Sequence, residues 1–211
     1  MKTLTDIAEH LVRGEDAEVA EATRRALEAG LGPKQILDDG LIAGMGRVGE
    51  LFKCHEVYLP DVLMAAQAMN AGLTVLRPQL VQENIPTRGR IVLGSVEGDL
   101  HDIGKNLVGV MLKGAGFEVI DLGNDVPPER FVAAAREHAA PVIGMSALLT
   151  TTMPAMGRVV QLLREQGLAG RVRTIVGGAP VSAKFAQEIG ADAHGYDAAN
   201  AVERVEELMG R

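Results

Sequence analysis

From residue 91 onward the chain alternates between short runs rich in β-branched residues and stretches of helical pattern, and this alternation constrains the fold more than any other feature. Four such runs lie at 91–96, 118–122, 142–146 and 173–176, and the short segment Ala193-His-Gly-Tyr196 reads as a fifth strand; the helical patterns lie at 104–114, 127–138, 152–167, 182–189 and in a last segment closing near Met209. Strands separated by helices have to run parallel, because each crossover returns the chain to the same end of the sheet. The expectation is a five-stranded parallel sheet of the flavodoxin-like (Rossmann-type) class over residues 90–211.

The first eighty or so residues read differently. They hold Ala, Leu, Glu and Met at helical spacing and almost no β-branched runs. Ile7, Leu11 and Val12 mark a first helix and residues 16–29 a second; 34–48 follow Pro33 as a third, and 59–80 form a fourth entered through Pro60. Short connections between them predict a four-helix bundle over residues 1–84, with 79–89 as a linker. Aromatic residues make up only 3% of the chain and Trp is absent, so both cores have to be filled by aliphatic side chains and Met.

Charge and composition narrow the function. A formal net charge of −7 argues against a bulk nucleic-acid binder, which carries a basic face. No apolar run reaches the roughly 20 residues of a membrane span, and the amino-terminal residues lack a signal-peptide pattern. A single cysteine, Cys54, excludes an intramolecular disulfide. A cytoplasmic protein is expected.

Parallel sheets bind ligands beyond the carboxyl ends of their strands, which singles out the loops at 97–104, 123–128, 147–153 and 177–182. The first holds Asp99, His101 and Asp102 before Gly104 and Lys105. It is not a phosphate loop: five residues separate Gly98 from Gly104, and Asn106 replaces the magnesium-binding hydroxyl. Nor does it supply the four ligands of a closed zinc site. One imidazole paired with a carboxylate suits a metal whose remaining positions come from a macrocycle; a helix-capping Asp beside an exposed His is the plain alternative. Cys54 has no His-Asp partner pattern, and His10, His55, His138 and His194 read as surface residues rather than ligands.

Asp99-Leu-His101-Asp-Ile-Gly104 resembles the D-x-H-x-x-G signature of cobalamin-binding domains, with Ser146-Ala-Leu148 as its S-x-L element and Gly177-Gly178 as its late glycine pair. The segment Gly44-Met-Gly-Arg-Val-Gly-Glu-Leu-Phe52, then Tyr58-Leu-Pro60, is similar to the helical cap of cobalamin-dependent methionine synthase and of corrinoid methyl-carrier proteins. The resemblance implies a cobalt corrinoid, methylcobalamin or a relative, bound base-off with His101 as the lower ligand. It implies that Asp99 bonds the other imidazole nitrogen and that Thr152, six residues after Ser146, continues the relay, so that protonation of the pair follows the state of the cobalt. Asp102, Ile103, Gly104, Ser146, Leu148, Thr150, Gly177 and Gly178 would line the cofactor site, and Phe52, Leu59 and Val62 would cover its upper face from the cap. Implied partners are a substrate-specific methyltransferase, a corrinoid:folate or corrinoid:thiol methyltransferase and a reductive activator, the chain being inactive alone. A subunit of an adenosylcobalamin mutase and a cobalamin-based regulator are the alternatives.

Overall fold

The structure, a computed structural model, describes residues 2–210. It divides into two compact units: one is built from the residues up to Pro86 with Gly114–Gly116, the other from Thr87–Lys113 and the chain from Phe117 on.

The first unit is helical: α1 (Lys2–Val12), α2 (Asp16–Glu28), α3 (Pro33–Gln35), a π-helical segment (Ile36–Ile42), α4 (Ala43–Lys53) and α5 (Leu59–Gln82). Ile7, Leu11, Val19, Ile36, Leu41, Val48, Val62 and Leu76 are fully or almost fully buried and form its core. The third expected helix differs in two ways. It runs on to Lys53, and its middle widens to π geometry at Asp38-Asp39-Gly40, three residues with weak α-helical preference. Gly40 sits there against the Ile7 side chain, where an added Cβ would lie 3.3 Å from Cγ2. The expected linker also begins later, because α5 continues through Pro78 to Gln82.

The second unit is a parallel sheet of β1 (Arg90–Ser95), β2 (Glu118–Asp121), β3 (Val142–Ser146), β4 (Arg173–Gly177) and β5 (Ala193–Gly195), in the order β2-β1-β3-β4-β5. The helices α6 (Ile103–Gly114), α7 (Pro128–Glu137), α8 (Pro154–Glu165), α9 (Ala183–Ile189) and α10 (Ala198–Leu208) alternate with the strands. Val92, Ile143 and Val176 pack with Phe131, Met156 and Val159 in one buried cluster. The chain order reverses between β1 and β3, which pair from Ile91↔Val142 to Ser95↔Ser146. A crevice therefore opens at their carboxyl ends, where this class of sheet places ligands.

Candidate functional site

The loops leaving β1 and β3 meet at that crevice around one carboxylate. Asp99 has 0% exposure and accepts five hydrogen bonds. On Oδ1 the donors are His101 Nδ1 at 2.8 Å and the His101 amide at 3.1 Å. On Oδ2 they are the Leu148 amide at 2.7 Å, the Leu149 amide at 3.2 Å and Thr152 Oγ1 at 2.7 Å. Burial alone would raise this carboxyl's pKa; the donors from Thr152, Leu148 and His101 outweigh it and hold the group well below the usual carboxylate range. Asp99 is thus an anion sealed under its own donors.

An ionised carboxylate only accepts, so Nδ1 of His101 carries a proton, and in the neutral imidazole the lone pair then lies on Nε2. The imidazole is 51% exposed while its partner is fully buried, and among the described residues Nε2 has no hydrogen-bond partner. The same two loops carry exposed apolar side chains that ordinary folding would bury: Leu100, Ile103 at 74% exposure, Leu148 and Leu149. A ring nitrogen fixed in orientation and free of protein partners, on loops that also expose aliphatic side chains, suits a flat, partly apolar metal complex lacking one axial ligand. No cluster of three or more His, Cys, Asp or Glu side chains capable of holding a metal ion exists among the described residues.

The remaining sequence-derived positions fall into three groups. Asp102 (half-buried), Ile103 and Gly104 lead into and open α6; Ser146 ends β3, half-buried, with Leu148 and Thr150 exposed just beyond. Gly177 ends β4, and Gly178 follows with φ 130°, where an added Cβ would lie 1.9 Å from the Ala147 carbonyl oxygen. That glycine is required by the protein's own backbone, before any ligand is considered. Gly104 is the opposite case, with no atom within 4 Å of a would-be Cβ. Phe52, Leu59 and Val62 lie in the helical unit, the first two half-buried and Val62 buried; Leu63 and Met64 are the exposed apolar side chains next to it on α5.

These two glycines give a paired prediction. Gly178→Ala should unfold or severely destabilise the ligand-free chain, since both the φ and the contact are forbidden to a side chain. Gly104→Ala should leave the melting temperature unchanged or slightly raised, because alanine in a helix is favoured by roughly 0.5–1 kcal/mol over glycine. Thermal melts of the two ligand-free variants check this.

Lys105 is buried, yet its Nζ lies 2.6 and 2.7 Å from the two Asp121 oxygens, and Asp121 Oδ1 also accepts from the Gly123 amide. The lysine that follows Gly104 is thus already occupied by a carboxylate. Of the other histidines, His55 is exposed, while His10 is half-buried against Glu15 and His138 is half-buried at the end of α7. His194 is half-buried too, at 3.0 Å from the Val181 carbonyl, because β5 places it inside the sheet edge. Cys54 is exposed.

Comparison with known proteins adds an independent line. Residues 89–205 match the family described as B12 binding domain, and residues 3–77 match a second family of the same description. A corrinoid protein of Desulfitobacterium hafniense is 41% identical over 100% of this chain and 99% of its own length. Trimethylamine corrinoid protein 1 of Methanosarcina mazei is 45% identical over 92% of this chain and 91% of its own. A chain in the crystal structure of the methanol:cobalamin methyltransferase complex of Methanosarcina barkeri superposes with a TM-score of 0.86 at 34% identity, covering 99% of this chain and 80% of that one. A cobalamin-binding protein of Desulfitobacterium hafniense superposes with a TM-score of 0.82 at 31% identity, covering 97% of this chain and 98% of that one. Among the described residues, no helix is long and apolar enough to cross a membrane.

Proposed function

We propose, because this chain belongs to the family of corrinoid proteins with paired B12 binding domains, that it is a methyl carrier holding its corrinoid through His101. When bound, the corrinoid supplies a cobalt centre that accepts a methyl group from one protein and yields it to another. The observation that carries the residue assignment is the partnerless Nε2 of a half-exposed imidazole whose Nδ1–H is held at 2.8 Å by a buried carboxylate.

Each residue then has a task set by its surroundings. Asp99 holds the proton on Nδ1 of His101, which keeps Nε2 directed outward and raises its basicity. Thr152 Oγ1 and the Leu148 and Leu149 amides keep Asp99 ionised and immobile from behind. Gly104 leaves the first turn of α6 bare, so a bulky ligand tail can approach the backbone there. Leu100, Ile103, Leu148 and Leu149 supply apolar surface that a corrin ring would cover, at about 25 cal/mol per Å² buried.

The relatives support the donor side of this reading. Trimethylamine and dimethylamine corrinoid proteins are among them, as is a chain of a methanol:cobalamin methyltransferase complex. These matches favour a carrier over a mutase subunit or a regulator. The chain takes its methyl group from a methylamine- or methanol-specific methyltransferase and passes it to a second methyltransferase with a folate or thiol acceptor; a reductive activator restores inactive cobalt. The test is a reconstitution of the hydroxocobalamin-loaded, reduced chain with a panel of trimethylamine, dimethylamine and methanol methyltransferases and an acceptor enzyme. Product should form only when one panel member and the acceptor enzyme are both present. Turnover by the loaded chain alone, or no turnover with any panel member, would refute the carrier.

A further inference from the structure

The loop bearing His101 is gripped from a side that the assignments above leave unused. Three successive carbonyls each accept a hydrogen bond from outside the loop. The Asp125 amide donates to Asp99 O at 3.0 Å, Asn124 Nδ2 to Leu100 O at 3.2 Å, and Ser95 Oγ to His101 O at 2.6 Å. Asp125 also returns a contact, its Oδ1 accepting from the Gly98 amide at 2.7 Å. Two adjacent, exposed residues of the turn between β2 and α7 thus supply three of these four bonds. Asp125 does so from φ 52°, the left-handed region that aspartate tolerates but does not prefer.

The bonds on Asp99 do not make this grip redundant. Thr152 and the Leu148 and Leu149 amides fix the carboxylate, but between Asp99 and Gly104 the backbone passes through exposed Leu100 and His101. Among the described residues, Asn124 is the only side chain bonded to the Leu100 carbonyl. The His101 amide and Nδ1 tether that residue to Asp99 Oδ1, but both bonds end on one atom, so a tilt of the Leu100 peptide would still turn the imidazole about it. An unfavourable backbone conformation that grips a ligand-bearing loop belongs to the kind of strain found at functional sites.

We propose that Asn124 and Asp125 form a strap that sets the height of the His101 backbone and so aims Nε2, making both positioning residues for lower-face ligation. The proposal rests on His101 being the cobalt ligand, and its test separates the two. The full chain is labelled uniformly with ¹⁵N, loaded with unlabelled hydroxocobalamin and reduced to Co(II). In the electron paramagnetic resonance spectrum an axial protein nitrogen then splits the lines into doublets, whereas the corrinoid's own ¹⁴N base gives triplets.

Asp125→Gly keeps the left-handed φ and removes the carboxylate; Asn124→Ala removes only an exposed amide. Each should keep its corrinoid through desalting, while the ratio of doublet to unsplit signal falls about tenfold, the low end of what outer-shell partners contribute. Asp125→Asn, which retains an acceptor oxygen and tolerates the same φ, should restore most of the doublet. Wild-type doublets in both Asp125→Gly and Asn124→Ala, beside a doublet abolished by His101→Ala, would overturn the strap alone. Loss of corrinoid retention in either variant would overturn it too, since the turn would then build the pocket rather than aim the ring. A wild-type spectrum without doublets would remove the ligand assignment and the strap with it. Should Asp125→Gly fail to fold, Asn124→Ala carries the test with the same outcomes.

Discussion

In the full chain loaded with hydroxocobalamin, His101→Ala should replace the visible spectrum of imidazole-ligated cobalt with that of cobalt carrying a weaker axial ligand, and corrinoid affinity should fall by at least about tenfold. The fold should survive the change. The imidazole is half-exposed, and its loss removes one of the five bonds on Asp99; the amide of residue 101 still donates to Oδ1, and Leu148, Leu149 and Thr152 still hold Oδ2. The stability cost is therefore that of a single hydrogen bond to a charged group, about 1.5 kcal/mol. Ligation lost with folding kept is the signature that distinguishes a ligand from a structural histidine. Free imidazole added to the loaded variant should restore the nitrogen-ligated spectrum, because the alanine leaves the ring's place open to solvent. An unchanged spectrum would show that His101 is not the ligand, and a collapsed melting temperature with nothing regained from imidazole would show that it serves the fold instead.

How much of this site is legible in residue types alone depends on which atoms do the work. The sheet is legible because β-branched runs and helical stretches differ in period, and Asp99, His101 and Thr152 are legible because side chains carry their chemistry in their names. The Leu148 and Leu149 amides carry none: every residue except proline has an N–H, and only the junction of the β1 and β3 loops turns these two toward one carboxylate. The π-helical turn at residues 36–42 leaves little mark either: Asp38, Asp39 and Gly40 weaken the α-helical preference there without specifying a wider turn. Gly178 shows the converse case. A late glycine pair suggests room for a ligand, and residue type alone does not reveal that the nearest obstacle to a side chain is the Ala147 carbonyl, a backbone contact beside the pairing of β3 and β4. Asn124 and Asp125 lie in a loop that the sheet rule marks for inspection, but their partners are carbonyls, which leave no trace in residue type.

Asp99→Ala should be the most damaging substitution in the α/β unit short of a backbone clash, at roughly 3–5 kcal/mol, the cost of emptying one side of a buried charged cluster. The alanine leaves the Leu148 and Leu149 amides and the Thr152 hydroxyl around a vacated acceptor, and each buried donor without a partner costs about 1–3 kcal/mol. Thr152 escapes part of this, because its hydroxyl also lies 2.9 Å from the Leu149 carbonyl and can donate there instead. Asp99→Asn should cost less, since its oxygen can still accept from one side. Acid should narrow the gap between wild type and alanine variant. The folded pKa of Asp99 is depressed, so its contribution is complete above the unfolded value near 4 and is given up as pH falls below that value toward the folded one. Urea titrations of the ligand-free proteins at pH 7 and pH 3 should therefore show a difference in unfolding free energy smaller at pH 3 by roughly 1 kcal/mol. A difference that stays constant or grows on acidification would mean that Asp99 is not the ionised hub of the site, and that the proton on His101 Nδ1 is held by something other than its charge.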